Sequence, residues 1–262
     1  MKIDAIDAFS DNIIWAFRGP RGGACVVDPG DATPVLAFLA ARATWLEAVL
    51  ITHHHQDHVG GLEQLQLAAP RQPGEDALAP VTVWGPEACI PYGVNSPVKD
   101  GDRLVVGPAG EHAEVLAVPG HTQDHLAFWI EGSTEQAPVL FCGDTLFAGG
   151  CGRLLDGTAE QMHRSLGRLS ALPPETQVYC AHEYTLSNLR FAAHAFPESQ
   201  AIALRLKTVE AQRQADERTL PSSIGTERQT NPFLLAPDLE SFRSLRLAKD
   251  SFRPPAPPPI PN

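Results

Sequence analysis

The residues best suited to chemistry lie in one short segment, residues 52–61, with the sequence THHHQDHVGG. Histidine nitrogens and aspartate oxygens are ligands for zinc and similar ions. His53 and His55 alternate on an extended chain and so point the same way, whereas Asp57 and His58 lie at a turn and face a neighbouring point. The spacing therefore predicts that one turn supplies two ligands to each of two adjacent ions. Asp57 alone could equally be a helix N-cap.

Three further segments each place a histidine or an aspartate where an apolar strand ends. They are VPGHT with His121, LFCGDT with Asp144 and VYCAHE with His182. Loops at strand ends are where a sheet presents functional groups. Each residue has an ordinary explanation when taken alone: a Pro-Gly turn for His121, a loop cap for Asp144, a strand cap for His182. Four strand ends that all contribute histidine or aspartate favour a metal site.

These segments are embedded in a pattern of short strands with interspersed helices. Apolar or alternating runs that end at Asp, Gly or Pro predict strands. The runs are KIDAIDAF, NIIWAF, ACVVDPG, LEAVLIT, VTVWG, DRLVVG, EVLAVPG, HLAFWI, PVLFCGD and TQVYCAHE. Helical spacing predicts helices in DATPVLAFLAARA, VGGLEQLQLAA and TAEQMHRSLGRLSAL, and an Asp or Thr is available to cap the first of them.

From about residue 184 the strand signals become few. LSNLRFAAHAF, AIALRLKTVEAQRQADERT and APDLESFRSLRLAKD show helical spacing, and the tail RPPAPPPIPN is too rich in proline for helix or sheet. We therefore expect a domain of strands and helices over residues 1–183. A C-terminal helical domain with a proline-rich tail is expected over residues 184–262.

The composition is that of an ordinary folded protein, with 43% hydrophobic and 19% charged residues among 262. A net charge of −11, from 31 acidic and 20 basic residues, argues against a general nucleic-acid binder. No apolar run approaches the roughly 18 residues of a membrane span, and the N-terminus lacks the apolar region of a signal peptide. Five scattered cysteines indicate reduced thiols. We expect a cytoplasmic monomer without nucleic-acid or membrane partners.

The motifs together resemble the metallo-β-lactamase superfamily and, in detail, the glyoxalase II family, the hydroxyacylglutathione hydrolases. THHHQDHVGG, GHT, GDT and the later strand-end histidine indicate the superfamily. CGDTLFAGGCGR, CAHEYTLSNLRFA, ERQTNPFL and RLAKDSF are similar to the thioesterases within it. The resemblance spans nearly the whole chain. It implies an α/β fold, an αββα sandwich of two mixed sheets, with a C-terminal helical domain and a dinuclear site along one edge.

The same resemblance implies which residues bind each ion. It assigns His53, His55 and His121 to the first metal, Asp57, His58 and His182 to the second, and Asp144 to both as a bridge beside a hydroxide. His54 is not expected to be a ligand, and His125 is expected to support the ligands through a hydrogen bond. The two divalent ions are expected to be zinc, with iron or manganese as alternatives.

The resemblance also implies a basic and aromatic set around glutathione. Tyr184 matches the tyrosine after the last metal histidine, and Arg246 and Lys249 match a basic pair on the C-terminal helix. Arg153 stands where a lysine or arginine is expected. The basic pair could instead lie on a solvated helix face. Leu155 departs from the pattern, because some members carry a tyrosine there toward the glutathione.

The resemblance implies a glutathione thioester hydrolase, with S-(D-lactoyl)glutathione as the expected substrate and methylglyoxal detoxification as the expected role. A hydroxide between two cations would attack the thioester carbonyl, since the cations lower its pKa. Asp57 and Asp144 would fix the metal geometry and could accept the proton, so no serine or cysteine nucleophile is required. Alternatives on the same fold are a lactonase, a β-lactamase or a persulfide dioxygenase. Outside the enzymes, the alternative is a non-catalytic metal-binding protein.

Overall fold

The computed structural model describes residues 1–76 and 79–253, so nearly all of the predicted proline-rich tail lies outside the described residues. Two six-stranded sheets account for most of the strands. Each sheet mixes parallel and antiparallel pairs, and the helices lie outside or follow in the C-terminal segment. Among the described residues, none of the helices combines the length and the hydrophobicity that a bilayer span requires.

The first sheet has its six strands in chain order. The first three pair antiparallel, and the remaining strands add in parallel. The strands are β1 Ile3–Ala8, β2 Asn12–Arg18, β3 Ala24–Val27, β4 Leu46–Leu50, β5 Thr82–Gly85 and β6 Ser96–Pro97. The parallel strands β3 and β4 direct their carboxyl ends to one edge, which is the edge where functional groups gather in such sheets.

The second sheet has the strand order β14-β13-β10-β9-β8-β7. Strands β10 and β13 are parallel, and the other neighbours are antiparallel. The strands are β7 Arg103–Val105, β8 His112–Ala117, β9 Leu126–Ile130, β10 Val139–Gly143, β13 Gln177–Cys180 and β14 Ser222–Ser223. In the chain segment that connects β10 to β13, the strands β11 Leu146–Phe147 and β12 Gly150–Cys151 form a small separate hairpin.

The core is divided by the alternation of side chains along β2. Ile13, Trp15 and Phe17 join the apolar layer shared with the second sheet. Ile14 and Ala16 point the other way and join the layer that also contains side chains of the helices Ala32–Ala41 and Leu62–Ala68. Because successive strand residues face opposite sides, one apolar run can serve both layers only when it is buried on both faces, as NIIWAF is.

Several of the helices begin at a residue whose side chain caps the first turn. Asp31 accepts a hydrogen bond from the Thr33 backbone N–H, and Thr158 forms a capping box with Gln161. The α-helices are α1 Ala32–Ala41, α2 Gln56–Val59, α3 Leu62–Ala68, α4 Ala159–Ser170, α5 Thr185–Ala195, α6 Gln200–Gln214, α7 Ile224–Thr230 and α8 Leu239–Ser251. A 3₁₀ helix spans Glu87–Tyr92.

The predicted sandwich of two mixed sheets is confirmed, and each predicted strand run contains a strand. The very short strands β6, β11, β12 and β14 were not predicted, because two residues carry no periodicity. Strand β14 lies in the segment expected to be helical, where it pairs with β13 and completes the second sheet. The division at residues 183 and 184 stays a prediction.

Candidate metal centre and adjoining cleft

The predicted ligands meet at one edge of the sandwich, because their segments follow strand ends that face the same way. Asp144 follows β10 and His182 follows β13, and these strands are parallel neighbours. The two sheets are joined at this edge by the Leu126 backbone N–H, which donates to the Thr52 carbonyl at 2.8 Å. A bridge between Asn12 and His182 makes a second connection.

Three histidines converge on the first position. His55 Nδ1 lies 2.9 Å from His53 Nε2 and 3.0 Å from His121 Nε2. Asp144 Oδ2 lies 3.5 Å from His121 Nε2. This is the set that the sequence assigns to the first ion.

The second position gathers Asp57, His58 and His182. Asp57 Oδ2 lies 3.6 Å from His58 Nε2 and 3.4 Å from His182 Nε2. Asp144 Oδ1 lies 3.5 Å from His58 Nε2 and 3.4 Å from His182 Nε2. Asp144 thus directs one oxygen to each position, as a bridging carboxylate requires.

The donor set fits two divalent metal ions. Four-coordinate zinc with ligands near 2.0–2.1 Å would hold its ligand atoms about 3.3 Å apart, and the contacts above bracket that value. Asp144 Oδ1 and His58 Nε2 are buried without a hydrogen-bond partner among the described residues. Such buried polar atoms are costly unless something pairs with them. Groups of residues able to hold an ion are found at both positions.

Hydrogen bonds behind the rings fix which histidine nitrogen faces each position. The Thr52 hydroxyl donates to Asp28 at 2.8 Å, so His53 Nδ1–H donates to Thr52 Oγ1 at 3.0 Å. His121 Nδ1–H donates to the Arg153 carbonyl at 2.8 Å. Both Nε2 atoms therefore keep a free lone pair, which is what a metal ion needs.

The second position has the same kind of support. His182 Nδ1 lies 2.8 Å from Asp11 Oδ1, and His58 Nδ1 lies 3.0 Å from Asp28 Oδ2. Asn12 Nδ2 donates to Asp57 Oδ2 at 3.0 Å. The His182 ring is thus oriented by an acceptor on its far side, whereas His58 Nδ1 makes a close contact with Asp28 that lacks hydrogen-bond geometry.

Sequence reasoning did not find these supporting residues. In the sequence, Asp28 and Asp11 follow predicted strands and Asn12 begins one, so none of the three stands out as a functional residue. The available signal was their position, since the DPG turn after β3 and the SDN turn after β1 lie at the edge that carries the ligands. Asp28 also has a positive φ of 52°, and such a strained residue often marks a functional site.

The two remaining histidines of the motifs, His125 and His54, belong to neither group of candidate ligands. His125 Nε2 accepts a hydrogen bond from the Asp144 backbone N–H at 3.1 Å, the supporting contact expected of it. His54 turns aside, with Nδ1 3.0 Å from Asp124 Oδ1.

Burial and mutual contacts shift the protonation of the site. Burial lowers the pKa of His53 well below its ordinary value. A hydrogen bond with His182 lowers the pKa of Asp57. Burial opposes charge on Asp144, but His58 and His182 outweigh it and lower its pKa. Two ionised carboxylates therefore face ring nitrogens at the sheet edge, and this field favours a positive charge between them, from a proton or a metal ion.

A cleft of about 500 Å³ runs from the metal centre toward α8. His121 and Asp144 lie at one end of its lining. All four predicted substrate residues also line it, together with Leu155 and Phe252. The residues are Arg153, Tyr184, Arg246 and Lys249.

The four differ in how free they are to meet a ligand. The ring of Tyr184 stacks on His182 with a centroid distance of 4.7 Å. The side chain of Arg153 is 74% exposed and reaches Asp250 at 4.0 Å. Lys249 Nζ donates to the Ser187 carbonyl at 3.1 Å. Burial first, and then neighbouring cations, lower the pKa of Lys249 to about 8.

Arg246 is 4% exposed, so a solvated helix face is wrong for this residue. Its Nη1 donates to the Cys151 carbonyl at 2.9 Å, and its Nη2 donates to Asp250 at 2.8 Å. The guanidinium lies over the Phe233 ring, 4.9 Å from its centroid. Arg246 thus holds one wall of the cleft through the backbone at Cys151, as well as contributing charge.

All five cysteines lie in the described part of the chain, and each is buried and free of a disulfide. Burial raises the pKa of Cys142, and burial raises that of Cys151 to about 11. Thiols in this state are poor nucleophiles at neutral pH.

Two family profiles together match most of the chain. The profile described as "Metallo-beta-lactamase superfamily" matches residues 12–182, and "Hydroxyacylglutathione hydrolase C-terminus" matches residues 183–252. A "Hydroxyacylglutathione hydrolase" of Pseudomonas entomophila is 52% identical, covering 89% of this chain and 86% of that protein.

Two solved structures share the fold at 25% identity. The structure of ETHE1 from Myxococcus xanthus has a TM-score of 0.65 and covers 97% of this chain and 93% of its own. TTHA1623, described "in a di-iron-bound form", has a TM-score of 0.57 and covers 89% of this chain and 100% of its own.

Proposed function

Because the chain belongs to the hydroxyacylglutathione hydrolases of the metallo-β-lactamase superfamily, we propose that its substrate is S-(D-lactoyl)glutathione. Hydrolysis would give glutathione and D-lactate and would serve methylglyoxal detoxification. The observation that carries the proposal is one cleft with the candidate metal ligands at one end and basic residues at the other. A thioester carbonyl at the first end would leave the glutathione carboxylates near the second.

The metal centre would hold two divalent ions, with zinc as the expected metal. His53, His55 and His121 would bind one, Asp57, His58 and His182 the other, and Asp144 both. When bound, the ions would lower the pKa of a shared water enough to give a hydroxide at neutral pH and would polarise the thioester carbonyl. TTHA1623 supports the two-ion proposal, since it is described in a di-iron form.

The chain's own residues would orient the substrate and keep the ligands ionised. The histidines around Asp57 and Asp144 hold both carboxylates ionised, as ligands of cations must be, and the same lowered pKa makes them weak proton acceptors. Lys249 and Arg153 would pair with carboxylates of glutathione, which is an anion at neutral pH. Tyr184 would contact the same part of the substrate while its ring supports His182.

The position of the basic residues favours a glutathione thioester over the other reactions of this fold. Tyr184, Arg246 and Lys249 all lie in residues 183–252, the segment that matches the hydroxyacylglutathione hydrolase C-terminus. A lactone or a β-lactam has no carboxylates placed, as those of glutathione are, far from the reacting carbonyl. The cationic end of the cleft would then have nothing to bind.

The proposal is tested by metal analysis together with hydrolysis assays on the same preparation. We expect two zinc ions per chain after reconstitution, with rapid hydrolysis of S-(D-lactoyl)glutathione and little hydrolysis of nitrocefin. A thioester of a small neutral thiol should be a poor substrate, because it lacks the carboxylates. A limit of one ion in excess metal would contradict the dinuclear site, and equal turnover of both thioesters would contradict the glutathione assignment.

A further inference from the structure

A small hairpin connects two parts of the metal centre. It consists of β11 and β12, joined by Ala148 and Gly149, and it begins just after Asp144. It ends just before Arg153, whose carbonyl accepts the hydrogen bond from His121 Nδ1. The ring of Phe147, on β11, packs edge-on against His182 and Tyr184. The position of this hairpin therefore affects the ligands at both metal positions.

The tip of the hairpin is held by side chains from the C-terminal segment. Asn231 Nδ2 donates to the Gly150 carbonyl at 2.9 Å and to the Phe147 carbonyl at 3.2 Å. Glu227 Oε2 accepts a hydrogen bond from the Gly149 N–H at 2.8 Å. The hairpin is too short to fix itself, since β11 and β12 have two residues each.

A third tether comes from α5, where Asn188 Nδ2 donates to the Ala148 carbonyl at 3.2 Å. The tip is also tightly enclosed, because a Cβ at Gly150 would lie 2.5 Å from Asn188 Nδ2. Gly149 has a φ of 68°, a conformation that glycine adopts readily. Four successive residues of the tip, residues 147–150, are thus bonded from outside the hairpin.

The tethers are themselves fixed inside the C-terminal segment. Glu227 is fully buried, and its other oxygen accepts hydrogen bonds from Arg205 Nη2 at 2.7 Å and from the Ser222 hydroxyl. Asn231 Nδ2 also donates to Glu227 Oε2 at 3.0 Å. A buried carboxylate with this many donors has one low-energy position. Through its hydrogen bonds to the tip, this network therefore holds the hairpin in one position.

We propose that Asn231, Glu227 and Asn188 are positioning residues for the metal centre, acting through the hairpin. The inference rests on the proposed function, because it concerns the two ions that function requires. Their chain of contacts runs from the C-terminal segment to the Arg153 carbonyl, and from there to His121. Outer partners of metal ligands typically change metal affinity by about 10- to 100-fold when they are lost.

The test compares zinc affinity in tether variants with that in a matched structural control. In Asn231→Ala and Asn188→Ala, competition with a chromophoric chelator should report zinc binding about tenfold weaker for one ion. The cobalt(II)-substituted variants should also show altered visible absorption bands, because the His121 ring is less well oriented. Leu39→Ala is the control, since Leu39 is buried on α1, which packs on α3 and β1 and carries none of the tethers. It should lower the thermal midpoint but leave zinc affinity and the cobalt spectrum unchanged.

The outcomes separate positioning from general stability. Wild-type zinc affinity and cobalt spectra in both tether variants would overturn the inference. So would an equal loss of affinity in Leu39→Ala, since destabilisation alone would then explain it. If Asn231→Ala does not fold, Asn188→Ala decides the question, because it removes one hydrogen bond. A wild-type protein that binds two zinc ions but hydrolyses no glutathione thioester would contradict the proposed function and leave this inference intact.

Discussion

At the scale of single residues, Asp144 links the two halves of the metal centre. Its two oxygens face different histidines, and its backbone N–H is held by His125 Nε2. The side chain is buried, so no exposed group can take its place. Removing it should disturb both metal positions together, whereas removing a histidine from one position should disturb that position first.

We expect Asp144→Ala and His55→Ala each to lose at least about 100-fold in thioesterase activity, the upper part of the range for lost metal support. Cys142→Ala should remain active, because the thiol donates to the Leu146 carbonyl and burial raises its pKa, which makes it a poor nucleophile. The measurements are kcat/KM and zinc content for each variant. An inactive Cys142→Ala with normal zinc content would indicate a covalent thiol mechanism instead.

Lys249 gives the cleft a charge that depends on pH. Its folded pKa of about 8 lies below the ordinary value of 10.5, so it loses its proton as pH rises through 8. Below pH 8 the ammonium can pair with a glutathione carboxylate, and above pH 8 the neutral amine cannot. The charged, polar and aromatic groups around it are Arg246 and Asp250 on its own helix, Arg153 and Cys151 from the hairpin side, and Ser187, Phe191 and Phe252.

KM for S-(D-lactoyl)glutathione should therefore rise between pH 7 and pH 9, with kcat changing less. Lys249→Arg is the matched control, because a guanidinium keeps its charge throughout this range. Its KM should stay nearly constant over the same interval, apart from titration of the substrate. Lys249→Met should show a KM raised about tenfold at pH 7 and less sensitive to salt than that of the wild type, since screening acts on charge pairs and one of them is lost. Parallel pH profiles for wild type and Lys249→Arg would refute the role of the lysine.

The sequence was sufficient for the residues that face the metal positions, but not for those behind them. His53, Asp57 and His121 stand in motifs whose residue types are unusual for loops, so type and spacing reveal them. Asp28 and Asp11 are ordinary turn residues, and only the folded chain brings them beneath His58 and His182. Their importance depends on long-range contacts, which no local pattern records.

At the scale of elements, the second metal position depends on two close backbone contacts that leave no room for a side chain, so each is made at a glycine. A Cβ at Gly30 would lie 1.9 Å from the Asp57 carbonyl oxygen, and a Cβ at Gly61 would lie 2.3 Å from the Pro29 carbonyl oxygen. The turn after β3 therefore packs directly on the backbone of α2. That contact lets Asp28 reach His58 while α2 presents Asp57.

We expect Gly30→Ala to displace the backbone at Asp57 and to impair the second metal position. The steric strain should cost about 1–3 kcal/mol of stability, as overpacking usually does. Zinc stoichiometry should fall below two per chain at concentrations that saturate the wild type. The control is Gly167→Ala on α4, where a Cβ has open space. It should keep two zinc ions and gain up to about 1 kcal/mol from helix propensity, so a matching loss in both variants would contradict the argument.

The longer elements could be predicted because their residues alternate or recur at helical spacing over a full run. β2 shows this well, since its two faces serve two separate apolar layers. β14 could not be predicted from Ser222 and Ser223, which are polar and only two residues long. It forms because β13 offers an open edge beside it, and an open edge is a property of the assembled sheet.

At the scale of the whole molecule, the C-terminal segment is part of the sandwich rather than an appendage. The larger apolar cluster joins Phe141 and Val178 of the second sheet to residues from α5, α7, α8 and the segments that connect them. These residues are Phe191, Leu220, Ile224, Phe233 and Phe242. The two parts also share a sheet through β13 and β14. The change from strand to helical patterns predicts a boundary at residues 183 and 184, which stays a prediction, and the apolar cluster contains residues from both sides of it.

We therefore expect the two segments to unfold together in one cooperative transition. Separating them would expose the shared cluster and the β13 edge, so a state with one part folded is unfavourable. In thermal unfolding of the zinc-loaded protein, near- and far-ultraviolet circular dichroism should report one coincident midpoint. Ile224→Ala, a buried change at the shared layer, should lower the single midpoint without splitting it, because both segments lose the same contact. Two resolved transitions, or a split only in this variant, would mean that residues 184–253 fold independently, and the hairpin tethers would then join two separate folding units.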